Sequence, residues 1–228
     1  MDAGVELWKG DSFPAKQKDT EKSAYDLYAR YTLHREGMSL QFGGFYYAAD
    51  AGMREDTRYS AAHSHSTTVI TTDPTYFDGD IAVKGLTGVA RFELAEDLSL
   101  GVQGELSQID QSGRLWDASR EADFKNKTVG LWGEVFAAVG KNKLSVRSER
   151  LKVQNDIYGA AAVILSEKLQ LLSAEKDPYR YTVSLEHAFD ASFRSRLEWS
   201  QDFSTVVKRD IFTLSAVWTD DLIQIVKN

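Results

Sequence analysis

The stretch YRYTVSLEHAFDASFRSRLEWSQDF, residues 179–203, alternates between two kinds of side chain at every second position. One set is apolar and aromatic and includes Tyr181 and Leu185, whereas the intervening set is polar or charged and includes Arg180 and Glu186. Successive side chains leave a β-strand on opposite faces. The period of two therefore predicts strands with one apolar face and one charged face.

The residues Asp190, Ala191 and Ser192 interrupt this alternation and predict a hairpin turn. Matching like faces selects the register, because a slip of one residue would place Leu185 opposite an arginine. The predicted cross-strand pairs are Leu185 with Leu197, Val183 with Trp199, Glu186 with Arg196, and Arg180 with Asp202. We expect Glu186 and Arg196 to form an ion pair on the charged face.

Composition excludes several classes of protein. The chain has 228 residues, a formal net charge of -7 and no cysteine, which excludes a disulfide framework and thiol chemistry. It has no basic run, so nucleic acid is not an expected partner. It also has no run of about 18 apolar residues that would form a transmembrane helix. The first residues, MDAGVELWKGD, lack the features of a signal peptide.

The alternation recurs along the chain and predicts a series of hairpins. The segments that show it are 24–49, 86–108, 128–153, 157–173 and 210–218, in addition to the hairpin quoted above. The segment 157–173 is short enough that its apolar run is also compatible with a helix. Tight turns are predicted near residues 36, 96, 141, 167 and 191, and longer connections at 10–23, 50–79, 111–127, 175–178 and 204–208. With a first strand at Val5–Trp8, about twelve strands are expected.

This organisation resembles the bacterial outer-membrane β-barrel (porin-like) proteins. The resemblance rests on charged residues that alternate with apolar ones and on aromatic residues near strand ends, namely Tyr25, Tyr46, Tyr179, Phe189, Trp199 and Trp218. It implies an all-β, antiparallel, up-and-down transmembrane barrel with short turns on one side and longer loops on the other. The single barrel domain would span residues 1–228, with strands within 3–219 and a tail at 219–228. The chain would lie in the outer membrane after removal of a signal peptide.

The physics of a bilayer agrees with this interpretation, because only a closed barrel pairs every backbone group of a strand structure in hydrocarbon. The apolar face would meet lipid and the charged face would meet a lumen. The alternative is a soluble antiparallel barrel or sandwich that buries the same apolar face. Trp132 and Phe136 share the parity of Glu134, which makes that strand apolar on both sides and favours the soluble alternative.

The expected function is a narrow pore for small polar or charged solutes, because rings of charged side chains set pore selectivity. The residues expected to line the lumen are Arg30, Arg91, Glu93, Glu105, Glu134, Arg147, Glu149, Arg180, Glu186, Arg194, Arg196 and Glu198. Alternatively, their charges pair and plug the lumen. The barrel would then serve as an assembly scaffold or adhesin through loops 50–79 and 111–127. Expected partners are membrane lipid or lipopolysaccharide, small polar solutes or ions, and other envelope proteins.

No catalytic motif is found, and neither an enzyme activity nor a cofactor is expected. His63 and His65 could share a strand face and chelate a metal, but a solvated pair in a loop is the preferred interpretation. Asp73, Asp78 and Asp80 lack the spacing of a calcium loop and are interpreted as a surface turn. An outer-membrane hydrolase would pair His with Ser, but His187 and Ser184 differ in parity.

Overall fold

The computed structural model describes residues 1–8, 24–55, 74–169, 171, 177–190, 192–204 and 208–218. These residues form one antiparallel sheet of ten strands, and the strands lie side by side in chain order. The elements are β1 (Asp2–Trp8), β2 (Ala24–Arg35), β3 (Met38–Glu55), β4 (Tyr76–Ala95), β5 (Leu98–Trp116), β6 (Glu121–Val139), β7 (Asn142–Tyr158), α1 (Ala162–Lys168), β8 (Tyr179–Ala188), β9 (Phe193–Asp202) and β10 (Arg209–Trp218).

The expected all-β, antiparallel, up-and-down topology is confirmed. The hairpins β2–β3, β4–β5, β6–β7 and β8–β9 all turn tightly at one end of the sheet, which we call the turn end. Gly37 and Gly140 make two of these turns with φ values of 68° and 54°, a conformation that glycine adopts without steric cost. The opposite end, where α1 lies, is called the loop end.

The expected count of about twelve strands and a closed barrel are not confirmed. The described residues form ten strands, and within them β1 pairs only with β2 and β10 only with β9. Part of the overcount comes from the segment 157–173, which was predicted as a hairpin and instead contains α1. The adjacent residues Leu165 and Ser166 are both buried, as is Leu169, whereas Ile164 and Glu167 are exposed, and this is helical and not strand periodicity.

The long connection predicted at 111–127 is wrong. β5 continues to Trp116 and β6 begins at Glu121, so that only residues 117–120 join them. The predicted connection at 50–79 is also too long, because β3 continues to Glu55 and β4 begins at Tyr76, while 56–73 lie outside the described residues. In the described parts of both regions the strands continue, but apolar residues such as Leu115 lie on the face that is polar nearer the tight turns.

No helix in the described part of the chain is both long enough and apolar enough to cross a bilayer.

The principal cluster of buried apolar side chains lies at the loop end, between the strands and α1. It contains Ala51, Phe77, Ile81, Leu115, Ala122, Phe124, Leu165, Leu169 and Leu171. Phe77 and Phe124 pack edge to face with ring centroids 5.9 Å apart. This cluster fixes α1 against the sheet.

Candidate functional site

The strand register assigns every strand residue to one of two faces of the sheet. Directly paired residues share a face. The predicted register of the β8–β9 hairpin is confirmed at all four pairs, from Arg180 with Asp202 to Glu186 with Arg196. Followed from strand to strand, these pairings place all twelve residues predicted to line a lumen on the same face, which we call the charged face.

The other face, called the apolar face, is exposed. Leu131, Val135 and Leu197 retain 55%, 57% and 53% of their accessible surface. α1, by contrast, packs on the charged face, where Leu165 joins the cluster that contains Phe124. A soluble sandwich would bury its apolar face beneath a second layer. Within the described residues no such layer covers the apolar face.

The two faces exchange character part of the way along the long central strands. From Leu98 to Leu106 of β5, the apolar face presents leucine and valine, but beyond Gln108 the same face presents Asp110, Ser112 and Arg114. The charged face changes in the opposite sense over the same strands, reaching Leu115 and Phe124, both 0% exposed. The apolar face is thus apolar only in the turn-end half, where the charged face is polar, whereas in the loop-end half the charged face carries buried apolar side chains.

Glu134 is the centre of the first group of polar contacts on the charged face, and only 4% of its side chain is exposed. Gln103 donates a hydrogen bond to its Oε1 at 3.1 Å, and Lys143 Nζ lies 3.2 Å from the same atom. Lys143 Nζ also lies 4.3 Å from the centroid of the Phe136 ring. Phe136 is one of the two aromatic residues that made β6 apolar on both faces in the sequence pattern, and its ring lies beneath the Lys143 cation.

A second group of contacts surrounds Glu149. Its carboxylate accepts a hydrogen bond from Arg147 at 2.5 Å and another from Arg180 on the neighbouring strand. The Arg147 guanidinium lies 4.4 Å from the Trp132 ring centroid. Trp132 thus has the same role as Phe136, because each presents an aromatic face to a cation on the charged face.

The third group corrects a predicted ion pair. Glu186 lies opposite Arg196 as expected, but its carboxylate contacts Arg194 at 3.5 Å. Arg196 instead pairs with Glu198 at 2.7 Å, two residues along the same strand. Residues i and i+2 share a strand face, and this spacing lets the long arginine side chain reach along β9. The charges are therefore paired, but Arg196 and Glu198 pair along β9, and Arg194 and Glu186 pair diagonally between β9 and β8.

Hydroxyl groups connect these charged groups between β7, β8 and β9. Ser145 and Ser184 are hydrogen-bonded at 2.7 Å, and Thr182 and Ser200 at 2.8 Å. Ser145 and Ser184 are both buried. Each hydroxyl of these pairs satisfies another polar group that would be costly if buried alone.

The remaining predicted residues lie nearer the edge and the turn end. Arg30 forms an exposed ion pair with Asp2 of β1 at 2.8 Å. Arg91 and Glu93 are exposed near the turn end of β4, and Glu105 is half-buried opposite Trp132. These four residues lie on the charged face but outside the three groups described above.

Sequence patterns did not predict the buried ion pair that holds α1 to the sheet. Lys168 Nζ lies 2.9 Å from Asp117 Oδ2, with side chains only 8% and 3% exposed. Arg120 approaches the same oxygen at 3.5 Å, and the Ser119 backbone N–H donates to Oδ1. Burial alone would raise the pKa of Asp117, but the Lys168 hydrogen bond, the Ser119 hydrogen bond and the positive charges outweigh it, and the pKa is lowered.

The candidate metal and catalytic residues do not gather into a site in the described part of the chain. His63, His65 and Asp73 lie outside the described residues, and Asp78 and Asp80 belong to β4 and not to a surface turn. No group of three potential metal ligands occurs among the described residues. His187 is on the apolar face beside Asn142, at 2.9 Å, whereas Ser184 is on the charged face.

Comparison of the chain with protein-family models, with curated proteins and with solved structures finds no match.

Proposed function

We propose that the chain spans the bacterial outer membrane as a β-barrel, with the apolar face against lipid and the charged face inside. The exchange of apolar and polar faces along β4–β7 is the observation that supports this proposal. The outer face of a barrel strand is apolar where it meets lipid. Beyond the membrane the outer face meets water and is polar, and apolar residues lie on the inner face. The apolar stretches Leu98–Leu106 and Leu131–Val139 each have 9 residues. This matches the 9–11 residues that a tilted strand needs to cross a bilayer.

Within that membrane assignment, we propose a plugged barrel that acts as an anchor and scaffold. Glu134, Glu149 and Glu198 each have a basic partner within 3.2 Å, so their charges are matched inside the proposed lumen. α1 and its apolar cluster cover the charged face at the loop end. The strands β4–β7 extend beyond the apolar band as a rigid projection, which would present a binding surface to other envelope proteins.

The narrow pore remains the second candidate, because the charged face retains open space. A cavity of about 410 Å³ is lined by Trp132, Glu149, Arg180 and Asp202 among others. If this cavity continues through the closed barrel, the arginine and glutamate side chains would set its ion selectivity.

Refolding and conductance measurements test both parts of the proposal. The purified chain, refolded into micelles, should migrate faster in electrophoresis unheated than boiled, with β-type circular dichroism. In planar bilayers it should give no steady single-channel conductance. Steady ohmic channels would favour the pore over the plug, and a chain that stays folded and monomeric without detergent would contradict the membrane assignment.

A further inference from the structure

A groove lies on the apolar face, at its boundary with the charged loop-end half. Its volume is about 630 Å³. Its floor is formed where two small residues, Gly133 of β6 and Ser148 of β7, pair directly across the strands. The side chains that line it on the same face are Leu131, Tyr179, Tyr181, Phe203 and Arg150.

The walls of the groove are rigid and largely apolar. Tyr179 and Phe203 stack with ring centroids 4.4 Å apart and an interplanar angle of 15°. Tyr181 packs edge-on against Tyr179 at 5.7 Å. Stacked rings hold one another in place, and such walls suit a linear hydrocarbon chain, which has no polar groups to satisfy.

The loop-end limit of the groove is cationic. Arg150 lines it, and Lys152 lies two residues farther along β7 on the same face. Arg150 contacts Asp177 at 3.3 Å, but 69% of the Arg150 side chain is exposed and the guanidinium has five donors. An exposed ion pair of this kind contributes little to stability. It also leaves guanidinium donors available for a second anion.

We propose that this groove binds one lipid with an anionic, phosphate-bearing headgroup. The acyl chain would lie over Gly133 and Ser148, and the phosphate would contact Arg150 and Lys152. This inference rests on the proposed membrane function, because it requires the apolar face to meet a bilayer. Charge complementarity selects the anionic headgroup, since each basic residue near an anionic lipid surface contributes about a fivefold gain in binding.

Two variants separate the headgroup from the chain. Arg150→Ala combined with Lys152→Ala removes the cations and leaves the groove. Gly133→Leu fills the groove and leaves the cations, and it should fold, because a Cβ at Gly133 meets nothing nearer than the Gln103 carbonyl oxygen at 4.0 Å. Arg114→Ala is the matched control, since Arg114 lies on the same face but far from the apolar band and pairs with Glu121 at 3.1 Å.

The experiment is native mass spectrometry of the refolded protein titrated with phosphatidylglycerol or phosphatidylcholine. Wild type and Arg114→Ala should retain one phosphatidylglycerol, and the double variant should bind it about thirtyfold more weakly. Gly133→Leu should lose both lipids, and inorganic phosphate should not displace phosphatidylglycerol from wild type.

Three results would overturn the lipid site alone, of which the first two are equal retention of phosphatidylcholine and phosphatidylglycerol and unchanged binding in Gly133→Leu. Displacement by inorganic phosphate would also overturn it, because the site would then recognise a free anion. A chain that shows no heat-dependent electrophoretic shift and needs no detergent would instead overturn the membrane function itself.

Discussion

Among the residues of the charged face, Glu149 should lower the free energy of unfolding most when it is replaced, because it accepts hydrogen bonds from two arginines. Replacement by Gln removes the one carboxylate that Arg147 and Arg180 share, and we expect the free energy of unfolding to fall by about 2 kcal/mol. Glu105→Gln is the matched control, since Glu105 lies half-buried on the same face outside these groups. The measurement is the urea midpoint in micelles, and equal midpoints for the two variants would show that the paired charges do not stabilise the fold.

The two faces of β9 predict opposite outcomes for neighbouring positions. Leu197 is 53% exposed on the apolar face, and a charge there near mid-membrane costs roughly 2–4 kcal/mol. Leu197→Arg should therefore refold less well than Arg196→Leu, which removes the partner of Glu198 but adds no charge to the lipid surface. The two variants are compared with wild type by their refolding yield and by the urea midpoint of unfolding. If Leu197→Arg matches wild type while Arg196→Leu fails, the inner and outer faces are reversed.

Helix α1 depends on Asp117, whose ion pair with Lys168 is almost completely buried. Asp117→Asn keeps the hydrogen bond from Ser119 but leaves Lys168 unpaired, at a cost of about 3 kcal/mol in attaching α1. Lys168→Met is the companion variant and should cost less, because it keeps the side-chain stem and removes the buried charge. Limited proteolysis between β7 and β8 reports release of α1. Equal resistance in wild type and Asp117→Asn would show that this pair does not hold the helix.

The same contact predicts a pH dependence. The pKa of Asp117 is lowered in the folded chain, so the contact stabilises the fold fully above the unfolded carboxyl pKa of about 3.9. Its contribution is lost as the pH falls below that value and through the lower folded pKa. Proteolysis with an acid-active protease should therefore release α1 below about pH 4 in wild type, with a weaker pH dependence in Asp117→Asn. Release that begins near pH 6 would contradict this assignment.

At the scale of elements, local alternation was sufficient to predict the β8–β9 hairpin and its register, because a slip would have mixed Leu185 with charged residues. The loop-end halves of β5 and β6 were missed because their apolar residues change faces, so a search for one continuous apolar face interprets them as a polar connection. The segment that contains α1 stayed undecided between hairpin and helix, because Leu165 and Leu169 would also share one face of a strand and their burial depends on strands distant in sequence. The Asp117–Lys168 contact joins residues 51 positions apart, and no periodicity predicts it.

At the scale of the whole molecule, the proposed barrel requires β1 and β10 to pair with each other. They run in opposite directions, since each is antiparallel to a neighbour in an even-numbered, up-and-down sheet. Leu7 of β1 and Phe212 and Leu214 of β10 lie on the apolar face. The chain has no cysteine of its own. Leu7→Cys can therefore be combined with a single cysteine at 210, 212, 214 or 216, and no native thiol competes for the disulfide. At least one pair should form an intramolecular disulfide, whereas disulfides only between chains would show that a second copy closes the sheet.

The most direct test of the central claim is site-directed spin labelling along β6 in lipid vesicles, at positions 121–136. From 131 to 136, we predict that odd positions contact oxygen dissolved in the bilayer and that even positions, on the charged face, do not. From 121 to 127, odd positions should contact a water-soluble nickel reagent instead, because the apolar face has become charged there. Odd positions from 131 to 135 shielded from both reagents would contradict the account, because this part of the apolar face would then be the core of a soluble protein.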